Sequence, residues 1–161
     1  VRVFIGIDPG ASGGVTAIIN TNIPKIIWCS AFKDLNHVKS CFDFLKSQKI
    51  GLHALIENVH AFPTDGRSSA FKFGKNAGQW EGLLAAYDIP LEKVVPHKWM
   101  SWYEKMPKDK QERKNRLKTL AQEILDKYDA NQKATLKTAD AILISNYYCL
   151  GGLDAKPNEK K

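Results

Sequence analysis

The feature that most constrains the fold is the opening run Val1-Arg2-Val3-Phe4-Ile5-Gly6-Ile7-Asp8, followed by Pro9-Gly10-Ala11-Ser12-Gly13-Gly14. In an extended chain Val3, Ile5 and Ile7 face one way and Phe4 and Gly6 the other, and neither set is polar. Such a strand belongs in the middle of a sheet covered on both faces, not at an edge. It ends on Asp8, beside glycines that admit close approach of a backbone or a phosphate, so the acid alone reads equally as a turn cap or a metal ligand. Two further acids tip the balance toward a cation. Glu57 closes the apolar strand Ala54-Leu55-Ile56, and Asp140 stands inside an otherwise apolar helix.

A chain of 161 residues supplies one domain with a proper core and is too short for two of ordinary size. We therefore expect a single domain over 1–152 and a disordered polar tail over 153–161. Hydrophobic residues make up 43%, and no apolar run approaches the ~20 residues of a membrane span, so no membrane association is expected. No signal peptide is expected either, because the chain opens on a core strand. Cys29, Cys41 and Cys149 are odd in number, apolar in setting and without metal spacing, which suits reduced core residues of an intracellular protein and predicts no zinc site.

Twenty-four Lys and Arg against 17 Asp and Glu give a formal charge of +7, which suits a polyanionic partner. The charge is concentrated in two places. Arg67, Lys72 and Lys75 interleave with Phe71 and Phe73 after Glu57, while Lys105, Lys108, Lys110, Arg113, Lys114, Arg116 and Lys118 crowd a later segment. The later cluster reads equally as a solvated helix face or a binding surface.

In chain order, strands are expected over 15–20 and 25–32, forming an antiparallel meander with the first. A helix capped by Asp34 carries Leu35, Val38, Phe42 and Leu45 at helical spacing up to Gln48. Leu52 to Val59 is a fourth strand, and the intervening helix allows it to pair in parallel with the first, setting Glu57 beside Asp8. A helix over 68–87 follows a loop. Its Gly74, Gly78 and Gly82 recur every fourth residue, which implies a close contact on that face with the sheet, with a second subunit or with DNA. A fifth strand is expected over 93–96, then an irregular helical piece, then a helix with Pro107 in its first turn and an apolar stripe from Leu117 to Tyr128. The last helix is expected from Lys137 to Leu150, stopped by Gly151-Gly152. Trp80, Trp99 and Trp102 are assigned to packing.

This order of elements, with acids on strand one, strand four and the last helix, resembles the ribonuclease H-like fold: α/β, with a five-stranded mixed sheet and helices on both faces. The words Ile5-Gly6-Ile7-Asp8-Pro9-Gly10, Ile56-Glu57-Asn58-Val59-His60-Ala61-Phe62-Pro63, Ser69-Ala70-Phe71-Lys72-Phe73-Gly74, Val95-Pro96-His97-Lys98-Trp99 and Ala139-Asp140-Ala141 resemble the RuvC-type Holliday junction resolvases, particularly their phage and organellar branches. The match spans nearly the whole chain up to the tail. It implies a homodimer that binds a four-way DNA junction and nicks two strands symmetrically, with two Mg2+ or Mn2+ ions held by Asp8, Glu57 and Asp140. It further implies a role for His60 in stacking on a base, with a capping or core histidine as the alternative. Phe62, Arg67, Lys72, Lys75 and Lys98 are candidate DNA contacts, with ordinary surface residues as the alternative. The expected location is a cytoplasm, that of a phage host, or an organelle.

The sequence departs from the family at one place. Relatives commonly carry Asp or His three residues before the last acid, and here that residue is Lys137. A protonated lysine cannot hold a metal, so either one ion is weakly held, or Lys137 contacts the scissile phosphate directly, or it merely faces solvent. Two other functions fit parts of the pattern. A non-catalytic junction-binding protein of the same fold is one. A nucleotide-binding domain of the actin and sugar-kinase type is the other, although such proteins need two domains and this chain has room for one.

Overall fold

The computed structural model describes residues 1–60 and 64–155. Five strands form one mixed sheet in the order β3-β2-β1-β4-β5. β1 (Arg2–Asp8) is its middle strand, antiparallel to β2 (Gly14–Ile19) and parallel to β4 (Gly51–Glu57). β3 (Lys25–Ala31) pairs antiparallel with β2, and β5 (Leu91–Val94) pairs parallel with β4. The meander and the parallel pairing of the first and fourth strands are therefore as the sequence predicts.

Each face of β1 meets its own core. Val3, Ile5 and Ile7 are wholly buried with Val38, Phe42, Trp80 and Leu84, beneath α1 (Leu35–Ser47) and α2 (Arg67–Ala86). The opposite face packs against α3 (Pro96–Tyr103), α4 (Lys110–Lys127) and α5 (Ala139–Cys149), through residues that include Leu55, Trp99, Leu117, Leu125 and Ile142. Asp34 caps α1 as expected, its carboxylate accepting the His37 amide at 2.8 Å.

Several boundaries differ from the sequence reading, each for a local reason. β4 stops at Glu57, and β5 runs over 91–94, because Pro96 takes the first turn of α3, where it needs no amide hydrogen. Pro107 lies upstream of α4. The cap is Asp109, which accepts the Glu112 amide at 2.8 Å. α5 begins at Ala139, not Lys137, since Thr135 and Thr138 bond each other in a turn that delays the helix. The glycine stripe of α2 does not face the sheet. Gly74, Gly78 and Gly82 are exposed, and a Cβ on any of them would meet nothing within 4 Å. The segment expected as a tail is described only to 155. There Leu153 packs on the second core, and its carbonyl accepts the Lys98 ammonium at 3.4 Å. None of the helices among the described residues is long and apolar enough to cross a membrane.

Candidate active site

The site is built around the end of β1. After Asp8 the chain must turn back into β2, and Gly10 (φ 117°) and Gly13 make that possible. The Gly13 amide donates to the Gly10 carbonyl at 3.1 Å, and a Cβ on Gly13 would run into the Asp8 carbonyl. Buried Asn76 of α2 holds the turn from outside, its side-chain carbonyl accepting the Gly10 amide at 2.7 Å. Asp8 is thereby set at the end of the central strand by a glycine-dependent turn and one amide clamp.

Register and helix packing bring up the other two acids. Ile7 pairs with Ile56, so the next residue of each strand, Asp8 and Glu57, sit side by side. α5 lies directly on β1 because residue 6 has no side chain. A Cβ on Gly6 would collide with the Ser145 amide and the Ala141 carbonyl, and the Ser145 hydroxyl donates to the Phe4 carbonyl at 2.8 Å. The first turn of α5 then carries Asp140 toward Asp8.

Burial acts on all three carboxyls, and a neighbouring acid's charge adds to it at Asp8 and Glu57. Asp8 is raised well above the ordinary carboxylate range, first by burial, then by the charges of Asp140 and Glu57, with Lys114 opposing. Glu57, only 8% exposed, is pushed up to about 7 by burial; the Trp99 hydrogen bond opposes this and Asp140 adds to it. Asp140 is pushed up to about 6 by burial, against the pull of Lys114 and Arg113. The side chains of Asp8 and Asp140 have no hydrogen-bond partner among the described residues. Clustered acids in this state gain from a cation with hard oxygen preference.

The donor set fits such an ion in kind, though not as a closed cage. Among the described residues no three His, Cys, Asp or Glu side chains are placed to hold one ion together. Mg2+ is ordinarily held by one or two carboxylates, with water and substrate phosphate oxygens completing its shell, and Asp8, Glu57 and Asp140 can supply that many.

Four contributors, Trp99, Arg113, Lys114 and Asn76, stand outside the site residues expected from sequence. Trp99 is fully buried, as its packing role predicts, and it also donates its indole N–H to Glu57 Oε1 at 2.8 Å. Arg113 and Lys114 of α4 are the cations that act on the acids. A signal for Lys114 was present in the helix period: it precedes Leu117 by three residues and Ala121 by seven, so it extends the buried stripe toward the sheet end. Nothing in the sequence pointed to Asn76.

The structure brings Asp8, Glu57 and Asp140 together. His60 lies three residues beyond Glu57 and lines, with Phe73 and Glu57, a gap of about 220 Å³ between β4 and α2. Phe62 lies outside the described residues. Arg67, Lys72 and Lys75 are exposed on α2, and Lys98 is exposed on α3. Lys137 sits in the turn before α5 with an exposed side chain, and its carbonyl abuts Gly14. It is absent from the charges that bear on the three acids.

No protein-family model matches the sequence, and no curated protein matches it. Solved structures do. RuvC of Thermus thermophilus, in complex with a Holliday junction substrate, aligns with a TM-score of 0.66 at 13% identity, over 93% of this chain and 97% of that one. The fowlpox virus Holliday junction resolvase aligns at 0.53 and 14% identity, over 92% and 98%. The same viral resolvase with its substrate junction aligns at 0.51 and 13%, over 91% and 98%. At these identities the likeness is one of fold, and the chain has the ribonuclease H-like fold of these resolvases, as its sequence words suggested.

Proposed function

We propose that this protein is a structure-specific endonuclease that resolves four-way DNA junctions by metal-assisted hydrolysis of phosphodiesters, as a homodimer making paired symmetric nicks. The observation that carries the reading is the meeting of Asp8, Glu57 and Asp140, from three separated parts of the chain, at one end of a sheet whose fold is that of junction resolvases.

In this reading Asp8, Glu57 and Asp140 hold two Mg2+ or Mn2+ ions. When bound, such a pair activates a water on one side of the phosphodiester and stabilises the leaving oxygen on the other. The protein's own residues do the positioning. Trp99 fixes Glu57 through one carboxylate oxygen and leaves the second free for a cation. Asn76 and the glycine turn hold Asp8. Lys114 opposes the upward shift of Asp8 and Asp140, and a cation that bears on these acids also offers charge to an incoming phosphate. Lys137, exposed beside the α5 turn, adds positive field on the scissile phosphate from the solvent side. His60 lines the gap beside Glu57, and in this reading His60, Phe62, Arg67, Lys72, Lys75 and Lys98 contact the DNA backbone or its bases.

One observation favours a second reading, a junction-binding protein that does not cut: no three acids among the described residues form a closed ion cage. Incubating a labelled four-way junction with Mg2+ or Mn2+, beside linear duplex and RNA–DNA hybrid controls, separates the two. The proposal expects junction-selective cutting that chelation stops. Tight junction binding with no cutting in either metal would establish the second reading.

A further inference from the structure

The basic segment between α3 and α4 borders a feature the nuclease reading does not use. A groove of about 1020 Å³ runs between α3, the linker that follows it and the C-terminal end of α5. Its floor is apolar, formed by half-buried Met100, Trp102 and Met106 with Tyr147. Trp102 stands edge-on to the Tyr147 ring, centroids 5.6 Å apart at 85°. The Tyr147 hydroxyl is buried without a hydrogen-bond partner among the described residues, an unmet need at the floor. Lys98, Lys105, Lys108 and Arg113 make the rim. Glu104 is the only acid among the described lining residues, and its carboxylate is taken by the Arg116 guanidinium at 2.5 and 2.8 Å. Arg113 also donates to the Pro107 and Lys108 carbonyls at 3.1 and 3.0 Å, which fixes the linker as a wall.

A merely solvated helix face needs no aromatic and methionine floor, and an apolar small molecule needs no cationic rim. A nucleic-acid strand presents both counterparts, phosphates for the cations and flat base faces for the floor. Paired duplex keeps its base faces stacked inside, so the strand that fits is one whose bases are free. We infer that this groove is a single-strand site: it takes a short run of unpaired nucleotides of the DNA substrate, with bases against Trp102 and the methionines and phosphates on Lys98, Lys105 and Lys108.

α3 and α4 link the groove to the acids. α3 turns Trp99 toward Glu57 while Lys98, Met100 and Trp102 line the groove, and Arg113 both lines it and acts on Asp140. The inference rests on the reading of this protein as one that acts on DNA.

The test uses the full chain without divalent cation and a short single-stranded oligonucleotide carrying one 2-aminopurine. Binding to wild type quenches the 2-aminopurine emission as the base stacks. Trp102→Ala weakens binding by about ten- to a hundredfold, the scale of one lost base–aromatic stack, while Trp102→Phe keeps most of it. Trp102→Ala opens a gap beside Tyr147, so the exposed pair Lys105→Ala/Lys108→Ala provides a variant that spares the core. It lowers affinity and flattens the salt dependence by about 1.4 in log–log slope. Single-strand affinity unchanged in both Trp102→Ala and the lysine pair overturns the inference, even if wild type cuts junctions. An acidic peptide that binds wild type and not the lysine pair, with no oligonucleotide binding, also overturns it and assigns the groove to a protein partner. Conversely, groove-dependent single-strand binding by a protein that cuts no junction supports the groove and removes the nuclease reading.

Discussion

Asp8, Glu57 and Asp140 are held where burial works against their charge, and this makes their behaviour measurable without any substrate. A carboxyl with a raised pKa binds its proton more tightly in the folded than in the unfolded protein. Its destabilising contribution therefore grows as pH climbs from the ordinary ~4.3 toward the folded value, about 7 for Glu57, and is constant above that. Glu57→Gln keeps an acceptor for Trp99 and removes the titration. In the metal-free protein it should raise stability at pH 8 by about 2 kcal/mol, roughly 4–8 °C in Tm, and change little at pH 4. A thermal shift that is the same at both pH values would contradict the assigned burial and repulsion. In cleavage assays Asp8→Asn, Glu57→Gln and Asp140→Asn should each cost at least about a hundredfold while leaving junction binding nearly intact, since they remove ligands and not phosphate contacts. Full activity in any one removes that residue from the site. Lys114→Ala should slow cleavage by about ten- to a thousandfold, and Lys137→Ala by less, because of these two lysines Lys114 alone bears on the acids. Single-turnover rates for the two variants rank them directly. At this scale the sequence disclosed the acids, because each interrupts an apolar run. The helix period marked their cation, Lys114, only by its spacing before Leu117, because a lysine at the top of a basic helix looks like its solvated neighbours until the sheet end is in place.

The elements were legible where a period or a cap is strong and displaced where a turn competes. β1 and α1 follow directly from a run apolar on both faces and from Asp34, whereas α5 starts late because the Thr135 and Thr138 pairing takes the residues that the apolar run alone assigns to the helix. That delay removes Lys137 from the helical face it was expected to share with Asp140. α3 was read only as an irregular piece, yet it carries the indole that holds Glu57. Trp99→Phe preserves most of the buried volume and deletes the donor, so Glu57 should titrate still higher. The rising limb of the pH–rate profile should move to higher pH, with the rate at pH 7 down by about ten- to a hundredfold, the scale of one hydrogen bond to a charge. A uniform drop at every pH would mean that Trp99 acts through packing alone. On α2 the exposed glycines give a prediction about partnership. With nothing within 4 Å of their Cβ positions, a Gly74→Ala/Gly78→Ala/Gly82→Ala protein should keep its fold, and each replacement should add about 0.5–1 kcal/mol to helix stability in a monomer. If the stripe is the proposed dimer face, the same variant dissociates the dimer, which light scattering reads. A dimer of undiminished affinity places the interface elsewhere.

At the scale of the whole molecule, a +7 chain with basic side chains on α2, α3 and α4 around one acidic centre is arranged to draw a polyanion onto carboxylates that would otherwise repel it. Junction affinity should accordingly fall steeply with salt, in wild type and in the three acid variants alike. Two coordinated cuts also need two such centres related by a two-fold axis, so the account requires a symmetric dimer on a symmetric substrate. The most direct measurement is the product formed from a supercoiled plasmid that extrudes a cruciform, with Mg2+ or Mn2+ present. Paired nicking within one complex predicts linear plasmid cut at the cruciform, none from a plasmid lacking it, and none with Asp8→Asn. Equal cutting of both plasmids, or no cutting of either, would contradict the account.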